Sequence, residues 1–324
     1  MDRIALFTIF KKLQIHCKKA FKKCRLHEIF LYFILVMEDH RDAYLFDGCI
    51  ATCEIVVNLV KCFSESYQTS FERLQFHMVT LALGKDLDDF IIIRSDVLQR
   101  KLWNLSSTIW IETPIIIDVN GLHPRLCTEE EILSIKASLK NIFRSLVCSS
   151  DTYFPIVSDS EFESTVGFPF LAGWLLGYPC VYRSSNPHEC DMSQSECSSS
   201  STTNALSMTC LNKISVDARL DEQLLLLLGH PRKLLNRNTP HHLCQGGASD
   251  QSDFVKIDLY NFTVPSALVA NGSFECQLLS EWLQRRLMKY EDFNPRHSKS
   301  EDSFRLVRSC DIRAAEITLP SVIL

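Results

Sequence analysis

Apolar positions change their spacing several times along the chain, and each change predicts an element. Ile4, Phe7, Phe10 or Leu13, Cys17, Ala20 and Cys24 recur at helical spacing, so residues 1–25 read as an amphipathic helix. Glu28–Met37 (EIFLYFILVM) is aromatic and β-branched with no polar face, and reads as a strand. Ala43–Phe46 reads as a second strand, closed by Asp47-Gly48. Helical spacing returns at Cys49, Cys53, Val56 and Val60 and predicts a helix to about Phe63. Phe76–Leu83 and Phe90–Arg94 read as strands around turn chemistry at Gly84–Asp89, and Ser95 caps a short helix over Asp96–Leu105. The apolar run Pro114–Val119 suits a strand buried on both faces.

The clearest helix start is Thr128-Glu129-Glu130-Glu131. Here the Thr side chain accepts the amide hydrogen three residues on, and that residue's Glu reaches back. Ile132, Ile135, Leu139, Ile142, Phe143 and Leu146 then mark one face. Phe162–Leu176 reads as a loop leading into a short helix, broken at Gly177-Tyr178-Pro179 before a strand at Cys180–Tyr182. Further strands are predicted at Leu211–Leu220, Phe254–Val264, Phe304–Arg308 and Ile312–Leu319, with helices at Asp221–Leu228 and Glu275–Tyr290. Two stretches are too polar to order themselves: 184–204, with eight serines in 21 residues, and 230–253, rich in Pro, Asn, Gly and His. The order of elements predicts an α/β fold with a single mixed parallel and antiparallel sheet flanked by helices. The helix of residues 1–25 packs on one domain, 26–324, interrupted by disordered insertions at 184–204 and 230–253.

Composition narrows the class. Hydrophobic residues make up 46% and charged residues 23% of the 324, which excludes a disordered chain or a rod. The charge is uneven: residues 1–25 hold eight Lys or Arg against one acid, Asp2, in a chain of net charge −5. Three readings of that segment stay open. It is the solvated lysine face of a packed helix, a mitochondrial presequence, or a surface for anionic lipid or nucleic acid. The first is adopted, with no nucleic-acid partner expected and an anionic membrane surface, through residues 11–25, as the alternative. The longest apolar run, Ile29–Met37, has nine residues, short of the roughly 20 that a membrane span needs. The chain has fourteen cysteines and a lysine-studded start that does not read as a secretory leader, so they read as free thiols in the cytoplasm, with the nucleus as alternative.

Four segments taken together resemble a known family: Glu28–Met37 with Ala43–Gly48, Pro114–Asn120 with Pro124–Ile132, Ala172–Tyr182, and Ile317–Leu324. They are similar to the uncharacterised eukaryotic protein family typified by the human chromosome-one open-reading-frame-seventy-four product. The resemblance covers roughly residues 26–183 and 253–324. It implies one compact domain, with the two polar stretches as insertions, and it implies no chemistry.

Candidate chemistry is sparse. Walker A, G-x-G-x-x-G, G-x-S-x-G and H-E-x-x-H patterns do not occur. Asp47 and Asp118 each end an apolar strand, where a carboxylate pair holds a divalent metal or works as acid and base; the alternative is that each caps the next turn or helix. Trp174, Tyr178 and Tyr182 cluster beside prolines as a pocket wall, a partner-binding ridge or core. No cofactor and no resident metal are expected. The reading that results is a non-catalytic interaction protein with an unidentified protein partner. The alternative is a metal-assisted hydrolase using Asp47 and Asp118.

Overall fold

The computed structural model describes residues 3–17, 21, 23–46, 52–71, 78–83, 89–106, 114–120, 123–143, 153–156, 166–184, 210–220, 255–268, 274–291 and 307–318. The first half runs α1 (Arg3–Cys17), α2 (Lys23–Met37), β1 (Ala43–Phe46), α3 (Cys53–Phe71), β2 (Met78–Leu83), β3 (Asp89–Arg94), α4 (Ser95–Ser106), β4 (Ile115–Asp118), β5 (Arg125–Leu126) and α5 (Glu129–Ile142). The second half runs β6 (Tyr153–Ile156), α6 (Phe168–Leu176), β7 (Cys180–Arg183), β8 (Cys210–Leu220), β9 (Val255–Pro265), α7 (Phe274–Glu291) and β10 (Val307–Thr318).

The fold is mixed α/β, but the expected single sheet is three. One sheet has the order β1-β3-β2-β6, parallel only between β2 and β6. A second has the order β5-β4-β7, with β4 parallel to β7. The third, β10-β8-β9, is antiparallel throughout. Alternation of side chains identifies a strand but not its neighbour, and these pairings join residues distant in sequence.

Both faces of β2 and β3 are covered. Met78, Ala82, Phe90 and Ile92 join a core with α1, α2 and α3. Val79, Leu81, Ile91 and Ile93 join a second core with α4, α5 and α6. Ile115 and Ile117 of β4 go to the first core and Ile116 to the second. The first core continues into Ile214 and Val216 of β8, Leu259 and Phe262 of β9, and Leu279 of α7. A strand pair between two layers reads as a continuous apolar run, which is why FIIIR and PIIIDV carry no alternation.

Two local expectations are corrected. Glu28–Met37 is the body of helix α2 and not a strand. Ile29, Phe30, Leu31, Phe33, Ile34, Leu35, Val36 and Met37 are all buried, and a helix enclosed on every side has no polar face to reveal its period. The strands expected at Phe304–Arg308 and Ile312–Leu319 are one strand, β10, with a register shift between Val307 and Ser309. In α1 the buried stripe is Leu6, Ile9, Phe10 and Leu13, while Ile4 lies 75% exposed. The stretches 185–204 and 230–253 lie outside the described residues. Among the described residues, no helix is long and apolar enough to cross a membrane.

Candidate functional site

Asp118 closes β4 at the carboxyl end of the parallel pair β4–β7, the place where open α/β sheets hold ligands. Its carboxylate is already engaged. Arg125 Nη2 donates to Oδ2 at 2.7 Å, the Asn120 amide donates to Oδ1 at 2.8 Å, and Arg183 Nη1 stands 4.0 Å away. Arg125 also donates to both oxygens of Glu131, at 2.7 and 2.8 Å, and Arg183 reaches Glu131 at 3.2 Å. Two arginines and two carboxylates thus interlock at the start of α5. The Arg125 hydrogen bonds, with the Thr128 amide, hold the Glu131 carboxyl down at about 2. Nearby, burial first and the Glu131 charge second push the Cys127 thiol up to about 11. Asp47, the other strand-end carboxylate, lies outside the described residues.

The aromatic trio divides between the two cores. Trp174 of α6 is buried in the second core, 5.7 Å from the ring of Phe143, with the Lys101 ammonium 5.8 Å from its centroid. Tyr178 packs against both cores and stands 6.3 Å from Tyr260 and 6.0 Å from Phe262 of β9. Tyr182 of β7 donates its hydroxyl to the Thr263 carbonyl at 2.6 Å. Burial pushes the Tyr182 hydroxyl well above the usual phenol range. Tyr178 and Tyr182 therefore tie the β8–β9–β10 sheet to the rest of the fold.

Between these rings lies a polar centre drawn from distant parts of the chain. Asp42, just ahead of β1, is 4% exposed at its side chain and accepts from Lys101 Nζ at 2.9 Å and Arg286 Nη1 at 2.7 Å. Lys101, on α4, also donates to the Trp174 carbonyl at 3.0 Å. Burial alone would raise the Asp42 carboxyl. The charges and hydrogen bonds of Lys101 and Arg286 outweigh it and hold the group far below the usual carboxylate range. Arg286 lies over Tyr260 at 5.2 Å and over Trp282 at 5.4 Å. Arg41 lies over Tyr32 at 5.0 Å and Tyr260 at 5.9 Å. Gly177 makes the arrangement possible. Its φ is +77°, and a Cβ there would run into the Asp42 carboxylate.

Asp42 and Arg286 are 244 positions apart, so their pairing has no sequence signature. What the sequence does display is an acid directly ahead of the apolar strand AYLF, and a lysine on the buried side of an amphipathic helix. Both are unusual enough in a core to have marked the site.

A family model described as a domain of unknown function, DUF4504, matches residues 11–226, about two thirds of the chain. No curated protein and no solved structure matches. Arg41, Asp42, Lys101, Trp174, Tyr178 and Tyr182 fall inside the matched span; Tyr260, Trp282, Arg286 and all of β10 lie beyond it.

Proposed function

The chain belongs to the DUF4504 family, and we propose that it acts as a non-catalytic interaction protein whose docking element is the outer edge of β10. The finer likeness, to the family typified by the human chromosome-one open-reading-frame-seventy-four product, is part of this reading. So is a cytoplasmic or nuclear setting, which suits the free thiols of Cys53, Cys62, Cys127, Cys180, Cys276 and Cys310.

One observation carries the proposal. β10 pairs with β8 on one side and, among the described residues, with no strand on the other. Ile312 through Glu316 are all exposed. Ile312 lies opposite Val216 and shares its face, yet Ile312 is 38% exposed where Val216 is 1%. A long edge with uncovered apolar side chain is the form to which another strand adds. The tied-down state of Asp118 favours this reading over hydrolysis, because a metal there would meet two arginines.

The occupant is a second copy of the chain. Laid antiparallel about a two-fold axis at Ile312, β10 is self-complementary. Ile312 faces its own counterpart, each Asp311 faces an Arg313, and each Cys310 faces an Ala314. The charge pattern within the sheet supports this register. Asp258, Asp217 and Asp311 stand in one cross-strand line, and Arg313 pairs with Asp217 at 2.5 Å. Desolvation first, then the hydrogen bond with Asp217 and its charge, pushes the Asp258 carboxyl up to about 6. A second copy extends that acidic line with another arginine. Light scattering on the full chain tests the proposal: a dimer is expected, and Ile312→Lys, which sets two ammonium groups face to face, is expected to be monomeric with unchanged circular dichroism. A parent that stays monomeric at 100 μM or more overturns it.

A further inference from the structure

The polar centre around Asp42 holds one cation more than its carboxylates engage. Asp42 is taken by Lys101 and Arg286, and Asp39 stands 3.7 Å from Arg94. Arg41 is left over. It is 8% exposed, its Nε is buried without a partner, and among the described residues no hydrogen bond or ion pair reaches its guanidinium. The faces of Tyr32 and Tyr260 attend it. Tyr260 is itself 1% exposed, with its hydroxyl unpartnered. The half-buried Tyr178 stands beside the same ring, and among the described residues its hydroxyl likewise makes no hydrogen bond.

A guanidinium N–H buried without an acceptor is costly, and buried donors in folded proteins nearly always have acceptors. Here an unsatisfied guanidinium and an unsatisfied phenol are held together, with Arg286 5.2 Å from the same ring. The guanidinium groups only donate and the tyrosine hydroxyls can donate, so one added acceptor would engage all of them. We infer that Arg41, Tyr260 and Tyr178 form a binding site for an oxyanion, a phosphate or a carboxylate, seated between the start of β1 and strand β9.

The guanidinium presents a flat fork of N–H groups that matches either anion, and the two phenols add neutral donors that do not discriminate between them. Arg286 on α7 and Tyr260 on β9 belong to the C-terminal half of the chain, and Arg41 precedes β1. An anion bound among them therefore braces the two halves against each other. This inference stands apart from the β10 edge and survives if that edge takes no partner.

The test is thermal melting of the full chain in rising sodium phosphate and, separately, rising sodium acetate, with sodium chloride holding ionic strength constant. A saturable rise in melting temperature with either anion is expected. Phosphate alone points to a phosphoryl group, acetate alone to a carboxylate, and both to simple oxyanion recognition. Arg41→Met keeps the packing between the tyrosines and is expected to weaken the response at least tenfold. It is also expected to melt no lower than the parent without anion, because it removes a stranded charge. Tyr260→Phe is expected to weaken the response several-fold without loss of basal stability. The inference is overturned if neither anion stabilises the parent, or if Arg41→Met responds as the parent does.

Discussion

Lys101 and Arg286 share the buried carboxylate of Asp42. Asp42→Asn keeps the shape and removes the charge, which leaves Lys101 and Arg286 facing each other across the interior. The expected loss is about 3–5 kcal/mol, the usual cost of breaking a buried pair from one side. Urea unfolding followed by circular dichroism measures it, and a loss under 1 kcal/mol would mean that solvent enters the site. Adding Lys101→Met to that variant should recover part of the loss, since it removes one of the stranded charges. At this scale little was legible. Trp174, Tyr178 and Tyr182 were visible as a cluster because they share one short stretch of sequence. Asp42 and Lys101 carried a local signal each, but their meeting with Tyr260 and Arg286 was not legible, because the chain brings them together only through the placement of β1, α4, β9 and α7. Asp118 was visible as a strand-end carboxylate, but its engagement by Arg125 depends on β5 turning back beside β4.

Elements with a polar face or a terminal cap could be read directly. The α5 box is formed as its spacing predicts: the Glu131 amide donates to Thr128 Oγ1 at 3.3 Å, and the Thr128 amide donates to Glu131 Oε2 at 2.7 Å. Thr128→Ala is expected to cost about 0.5–2 kcal/mol in denaturant unfolding. The pH dependence has a definite sign. The Glu131 carboxyl sits lower in the folded chain than in the unfolded one, so its contribution is present above the ordinary carboxylate range. That contribution is lost as pH falls towards about 2. The gap in stability between the parent and Glu131→Gln should therefore narrow as pH is lowered from 5 to 3, and a constant gap would contradict the pairing with Arg125. Helix α2 was illegible for the opposite reason. Its apolar residues surround it, and composition alone does not separate an enclosed helix from a strand. Length was the usable signal, since Lys23–Met37 exceeds the five or six residues of a typical strand.

Across the whole molecule, helices lie on both sides of the β2–β3 pair, and the β8–β9–β10 sheet is held to them by Tyr178, Tyr182 and the Asp42–Arg286 pair. The long strands β8 and β9 were legible and β10 was read as two, but their separation into three sheets was not legible, because pairing is a property of distant segments. The same holds for the edge position of β10, on which the proposed function depends. Charge reversal at that edge tests it most directly, by sedimentation equilibrium of the full chain. The parent should be a dimer. Asp311→Arg and Arg313→Asp should each dissociate it, since either change sets like charges opposite each other across the two-fold axis. The double variant restores opposite charges in the same register, gives Asp217 a cation again at position 311, and should return to a dimer. A parent that sediments as a monomer, or a folded double variant as dissociated as either single one, would contradict the account.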